Sequence, residues 1–326
     1  MAAYEKAMQG EKVQIGRSKS VPGTIGALIA SYYQTPDFIG LSPSTQRVYR
    51  NILERFRKDH GDKRVAKLEK RHIQKIMAER SDTPSSANRL LRMLHTLMVH
   101  AIDLGWRPDD PTVTVKKLRA KTTGFTTWEE EHIAAFLNYH QPGTRAHTAL
   151  MLLLYTGQRR SDLVRMGPAN VKDGFISIVQ QKTGQPVDIP ILPELQAVLD
   201  SLPKTETFLV SDRAADDGRA LTPESFTNWF RDMVKDVTVE RDGKRKRALP
   251  DGLSAHGLRK AVCRRMAEAG LTPHQIMSIS GHKTLSEVTR YTVAASRKML
   301  AQQAAEALGR IGREEGSSSP TVKPLG

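Results

Sequence analysis

The sequence predicts an α-rich α+β protein in two parts, an all-helical N-terminal unit and a mainly helical C-terminal unit with a small antiparallel sheet. Three observations predict it. Apolar residues recur at helical spacing from Thr24 to Gly105 with no competing alternation. A basic, proline-containing stretch follows at 106–125. Beyond it, two β-rich segments, Phe175–Val179 and Pro186–Ile191, flank the turn sequence QQKTGQ among further helices.

The elements follow in order. Residues 1–21 are polar and are expected to form a flexible segment. Ile25, Leu28 and Ile29 open a first helix that leads into Tyr32 and Tyr33. A second helix starts at Ser42-Pro43 and runs to about His60, with Val48, Ile52, Leu53 and Phe56 on one face and Gly61 as its stop. A third covers about Lys70 to Glu79. A fourth runs from about Ser86 to Leu104 on a stripe of Leu90, Leu91, Leu94, Leu97, Met98 and Ala101. Residues 22–105 are therefore one helical domain and 106–125 a linker. A second domain, 126–312, starts with a helix at Thr127, where Glu130 stands in capping-box spacing. Its last helix is expected at Ser296–Ile311, followed by a disordered tail over 313–326.

Charge narrows the function. The chain of 326 residues carries 50 Lys+Arg against 35 Asp+Glu, a net +15. From Pro43 to Thr122 there are 19 Lys+Arg and 9 Asp+Glu, so the helical domain and the linker together hold about two-thirds of the surplus. A cationic surface of this kind suits a phosphate polyanion, because each neutralised phosphate releases counterions. Arg47 and Arg50 on the second helix, Arg89 and Arg92 on the fourth, and Lys116, Lys117, Arg119 and Lys121 in the linker are the candidate DNA contacts. The basic insertion VERDGKRKRA, 239–248, adds Lys244 and Arg245. Cys263 is the only cysteine, which excludes an intramolecular disulfide and a cysteine-based zinc site. No compact Asp/Glu/His cluster has ligand spacing, so no metal or other cofactor is expected. The longest apolar run, Ala149 to Tyr155, is too short to span a bilayer, and the N-terminus lacks the apolar core of a signal peptide. A cytoplasmic, nucleoid-associated bacterial protein without a membrane partner is expected.

Three clusters in the second domain carry chemistry. In LLLYTGQRRSDLVRM, 152–166, an apolar helix ends at Thr156-Gly157 and the chain turns to present Arg159. In SAHGLRKAVCRRMAEAG, 254–270, Ser254 is a plausible N-cap, and His256 and Arg259 share one face of the first turn. A histidine and an arginine at a helix N-terminus suit an anion site. In SISGHKTLSEVTRYT, 278–292, Tyr291 follows His282 by nine residues. Taken singly, each residue reads as an ordinary cap, turn or core residue.

The order T-G-x-R-x-S-D-L, hairpin K-T-G, I-P-I, H-x-x-R, then G-H with tyrosine at plus nine resembles the catalytic domain of the tyrosine recombinases, the phage-integrase family. The phrases YRNILERF and LYTGQRRSDLVRM are especially similar to integrases of proteobacterial prophages and genomic islands. The resemblance implies a SAM-like core-binding domain for the four-helix unit and a site-specific recombinase. It implies that Arg159, Lys182, His256, Arg259, His282 and Tyr291 are catalytic, with Asp162 supporting Arg159. Tyr291 would form a 3′-phosphotyrosine, and Lys182 would protonate the leaving oxygen. The implied partners are double-stranded DNA attachment sites, a homotetramer on DNA formed from free monomers, and accessory DNA-bending or directionality proteins. A C-shaped clamp around a half-site is also implied. A catalytically silent DNA-binding protein of the same fold and a type IB topoisomerase-like enzyme are the alternatives.

Overall fold

The computed structural model describes residues 21–120, 124–210, 219–292 and 301–310. The N-terminal twenty residues, Lys121, residues 296–300 of the expected last helix and the expected disordered tail lie outside the described residues. The chain divides into two compact units, 1–122 and 123–326.

The first unit is helical. Helix α1 (Ile25–Tyr32) is capped by Thr24, whose hydroxyl accepts from the Ala27 amide. A single turn, α2 (Pro36–Ile39), follows; four residues are too few to leave a periodic signal. Helix α3 (Pro43–His60) has Ser42 as N-cap and proline in its first turn, where a missing N–H costs nothing. Helices α4 (Lys70–Ala78) and α5 (Pro84–Asp103) complete the unit. The core gathers Leu28, Ile29, Leu53, Phe56, Ile73, Leu94 and Leu97, each fully buried or nearly so. The expected stripe of α5 is buried throughout. That of α3 is corrected at one position: Val48 is exposed, and Tyr49 packs on the core instead.

The expected linker is also shorter than its composition suggests. Residues 106–118 fold back on the helices of this unit. Arg107 is buried and donates to the carbonyls of Val65 (3.2 Å) and Leu68 (3.0 Å). The Asn88 side chain pairs with both backbone groups of Leu118, each bond 2.8 Å long. A buried guanidinium must find acceptors, and here they are the carbonyls of the first residue of a 3-10 turn over Val65–Lys67 and of the residue that ends it.

The second unit opens with α6 (Glu130–Tyr139), three residues later than its sequence suggests. Trp128 is the cause. Its ring is fully buried and its indole N–H donates to the Ser254 carbonyl at 3.0 Å, so Glu129 and His132 form the capping box. Helix α7 (Arg145–Thr156) is buried along most of its length. The one-turn α8 (Arg160–Leu163) follows. Strands β1 (Val171–Lys172), β2 (Phe175–Val179) and β3 (Pro186–Pro190) form an antiparallel sheet in chain order, with Ile176 opposite Ile189. Ile176, Val187 and Ile189 face the core at the two-residue period of a half-buried sheet. After α9 (Pro193–Asp200) and α10 (Pro223–Asp236), the basic insertion forms a regular hairpin, β4 (Thr238–Arg241) and β5 (Lys244–Arg247). Its turn is Asp242-Gly243, both at positive φ (55° and 69°), the geometry two-residue hairpin turns require. Helices α11 (Ala255–Glu268), α12 (Pro273–Ser280) and α13 (Leu285–Thr292) pack against one another, α11 also against α7 and α12 against β3. Residues 301–310 are helical. Among the described residues, no helix is long and apolar enough to cross a membrane.

Candidate active site

Local structure first explains why the motif residues face one another. Helix α7 ends at Gly157 in the left-handed conformation (φ 61°), which reverses the chain and starts α8 immediately afterwards. Arg159 occupies the N-cap position of α8 in extended backbone. Its Nη1 donates to the Gln180 side-chain oxygen at 2.7 Å. Arg160 is directed elsewhere, to the Thr227 hydroxyl on α10. Of the adjacent pair, Arg159 is the one turned towards Gln180 and Arg160 the one turned towards α10.

Arg259 is the centre of the arrangement. One turn into α11, it is 1% exposed. Its Nη1 donates to the Gly157 carbonyl at 2.8 Å, and its Nη2 lies 3.1 Å from His282 Nε2. Burial, then the charge of Arg159, lowers its pKa to about 10, so it stays cationic at neutral pH. His282 follows Gly281, the left-handed C-cap of α12, and is itself buried. Burial and then Arg259 hold its imidazole at about 4. His256 stands at the start of α11 with its ring against Phe125, centroids 4.4 Å apart. Desolvation by the surrounding chain, then Arg259, Arg159, Lys182 and Lys260, hold it at about 4, although the residue as a whole is exposed. Both imidazoles are therefore neutral near pH 7.

Tyr291 lies on α13, half-buried against Cys263, Ile276 and Val288, with its ring 5.4 Å from that of His282. Burial raises its pKa above the ordinary value, with Arg259 and Arg159 pulling the other way. Its proton must leave as the oxygen attacks. Lys182 is exposed on the β2–β3 loop and close enough to His256 to depress it.

Asp162 lies within α8. It is 2% exposed, and its Oδ1 accepts from the Gln181 amide at 2.7 Å. The carboxylate thus anchors the loop that carries Lys182 and makes no described bond to the Arg159 guanidinium. Lone sequence motifs did not reveal Gln180 and Gln158. Gln180 is fully buried and uses all four of its hydrogen-bonding positions. Its nitrogen donates to Gln158 Oε1 (2.5 Å) and the Ser280 carbonyl (2.9 Å); its oxygen accepts from Arg159 and Thr183. Gln158 in turn donates to the carbonyls of Thr156 and Ile279. This clasp ties α8, the Lys182 loop and the end of α12 together. It also explains Gly281, where a Cβ would lie 2.3 Å from Gln180 Nε2.

Of the candidate DNA contacts, Arg47, Arg50, Arg89, Arg92, Lys116, Lys117 and Arg119 are exposed on the first unit, and Lys244 and Arg245 on β5. Arg50 is engaged within the protein, stacked over Tyr33 (4.5 Å) and Phe38 (4.8 Å). In the second unit, the arrangement offers two guanidinium groups, neutral imidazoles, an exposed ammonium and a phenol around one locus. Such a set can bind a phosphodiester and attack it.

Comparison with known proteins identifies the family and the fold. The model of the "Phage integrase family" matches residues 125–298. Tyrosine recombinase XerD of Xanthomonas campestris pv. campestris is 26% identical over 236 residues, covering 66% of this chain and 70% of the relative. The integrase of Escherichia phage HK022 is 22% identical over 271 residues, 79% of this chain and 72% of the relative. Among solved structures, a lambda integrase dimer bound to a COC' core site superposes with a TM-score of 0.70 at 18% identity, covering 82% of this chain and 95% of that one. A Tn1549 transposon integrase bound to circular intermediate DNA gives 0.68 at 16% identity, over 87% and 99%.

Proposed function

Because the chain belongs to the phage integrase family, we propose that it is a site-specific DNA recombinase that cuts and rejoins strands through a 3′-phosphotyrosine at Tyr291. The observation that carries this reading is the convergence on Arg259 of a second arginine, two neutral histidines and a half-buried tyrosine. In the proposed reaction, the Tyr291 oxygen attacks phosphorus, its proton passes to a neutral imidazole of the site, and the P–O5′ bond breaks. Lys182 gives the leaving 5′-oxygen its proton. Arg159 and Arg259 hold the non-bridging oxygens as charge builds in the pentavalent transition state. The phosphotyrosine keeps the bond energy, so a 5′-hydroxyl of the partner strand reverses the step.

The substrate is double-stranded DNA carrying a recombination site, and the enzyme acts on it in the bacterial cytoplasm. The first unit, which includes the folded-back residues 106–118, serves as the core-binding domain and residues 126–312 as the catalytic domain. The exposed cations of the first unit and of β5 grip the DNA backbone. A homotetramer on two sites is the working assembly, by analogy with a lambda integrase tetramer bound to a Holliday junction. Accessory DNA-bending proteins would set direction. The test begins with footprinting on DNA flanking the gene, followed by reaction of two footprinted sites. Recombinant product is expected from wild type and none from Arg259→Ala. Relaxation of supercoils without strand exchange would instead favour a topoisomerase, and binding without cleavage a silent DNA-binding protein.

A further inference from the structure

Behind the histidine of the site lies a hydroxyl to which the motif assigns no role. Ser280 is fully buried at the C-terminal end of α12. Its Oγ lies 2.7 Å from His282 Nδ1 and 2.5 Å from the Ile276 carbonyl. The direction of every proton in this chain can be deduced. A guanidinium has no acceptor, so at the 3.1 Å contact Arg259 donates and His282 Nε2 must accept. A neutral imidazole that accepts at Nε2 carries its proton on Nδ1. That proton can go only to Ser280 Oγ, whose own proton goes to the Ile276 carbonyl, a pure acceptor 2.5 Å away, with the weakly hydrogen-bonding Cys263 thiol beside it. The backbone of Ser280 is held as well, because its carbonyl accepts from Gln180 at 2.9 Å.

We propose that Ser280 is a positioning residue that fixes the tautomer of His282 and, through it, the aim of Arg259. The inference rests on the recombinase reading, in which Arg259 binds the reacting phosphodiester. With Nη1 held by Gly157 and Nη2 by His282, the guanidinium cannot turn, and its three remaining N–H groups are left for the phosphate. The other tautomer would point an N–H of His282 at an N–H of Arg259. That contact is repulsive and would push the guanidinium off its position. An orienting group that acts on an imidazole through the ring nitrogen away from the chemistry is an established way to set a catalytic tautomer.

Two measurements test this. The first is ¹⁵N NMR of the imidazoles in the whole free protein, with His282 assigned by the disappearance of its signals in His282→Gln. The expected result at neutral pH is a proton on Nδ1 and a lone pair on Nε2. The second compares Ser280→Ala with the hydroxyl-retaining Ser280→Thr. Ser280→Ala should move His282 towards the Nε2–H form and slow adduct formation on the order of tenfold with DNA affinity unchanged, and Ser280→Thr should restore both. A wild-type His282 protonated on Nε2 would overturn the inference whatever the variants do. So would a Ser280→Ala protein that keeps both the tautomer and the rate. Failure of wild type to form any adduct would overturn the recombinase reading instead, while the tautomer measured in the same protein would still decide the role of Ser280.

Discussion

Arg259 shows how single side chains are asked to do two jobs. It is a buried cation, which is unfavourable unless its donors are satisfied, and it must still present donors to a ligand. Gly157 and His282 satisfy two donors, which leaves three N–H groups for a ligand. Gln180 has the opposite character, since every one of its positions is occupied. Gln180→Leu should therefore strand several buried polar groups and lower unfolding stability by at least about 2 kcal/mol, at ~1–3 kcal/mol for each unsatisfied group. Urea unfolding checks this, and a midpoint equal to wild type would mean the clasp contributes nothing. These residues also mark the boundary of what the sequence reveals. His256, Arg259, His282 and Tyr291 are legible because their spacing lies within single helices or a few residues of one. Gln158 and Gln180 are not, because their bonds join segments 22 to 121 residues apart, and Ser280 is not, because a serine at a helix end reads as an ordinary cap residue.

Elements were legible where one period dominated. Helix α5 keeps an unbroken apolar stripe, and the β2–β3 hairpin alternates strictly, so both stand close to where their patterns put them. Misreadings have local physical causes. Trp128 is drawn into the core by its bond to Ser254, which delays α6; Arg107 finds carbonyl acceptors, which pulls an apparent linker onto the helical unit. The β4–β5 hairpin read as a basic insertion, although Asp242-Gly243 is a strong turn signal. Within it Lys246 pairs with Asp242 and Arg247 with Asp251, while Lys244 and Arg245 are exposed. If this hairpin touches the DNA backbone, replacing Lys244 and Arg245 with alanine should weaken binding. The slope of log affinity against log salt should also become shallower, by about 0.9 for each phosphate that is no longer neutralised. An unchanged affinity and slope in a salt titration would remove the hairpin from the interface.

At the scale of the whole molecule, the site is a source of pH-dependent stability. His256 and His282 are held at about 4 in the folded chain against an ordinary value of 6.5, first by burial and then by neighbouring cations. Unfolded chains take up these protons as pH falls below 6.5; the folded chain does so only near 4. Stability present in full above 6.5 is therefore lost as pH falls towards 4. The urea midpoint should drop across that window, and His282→Gln should drop less steeply; parallel curves would contradict the burial argument. The family, the fold and its DNA-directed chemistry were all legible in the order of the motifs, whereas the wiring that holds them required the folded chain. The central claim is that Tyr291 becomes covalently joined to DNA. The direct measurement is mass spectrometry of trypsin-digested protein after reaction with a nicked suicide duplex carrying the footprinted site. The account predicts nucleotide attached to the peptide of residues 291–297 through its tyrosine, and none in Tyr291→Phe. Nucleotide on any other peptide, or an adduct that survives Tyr291→Phe, would contradict it.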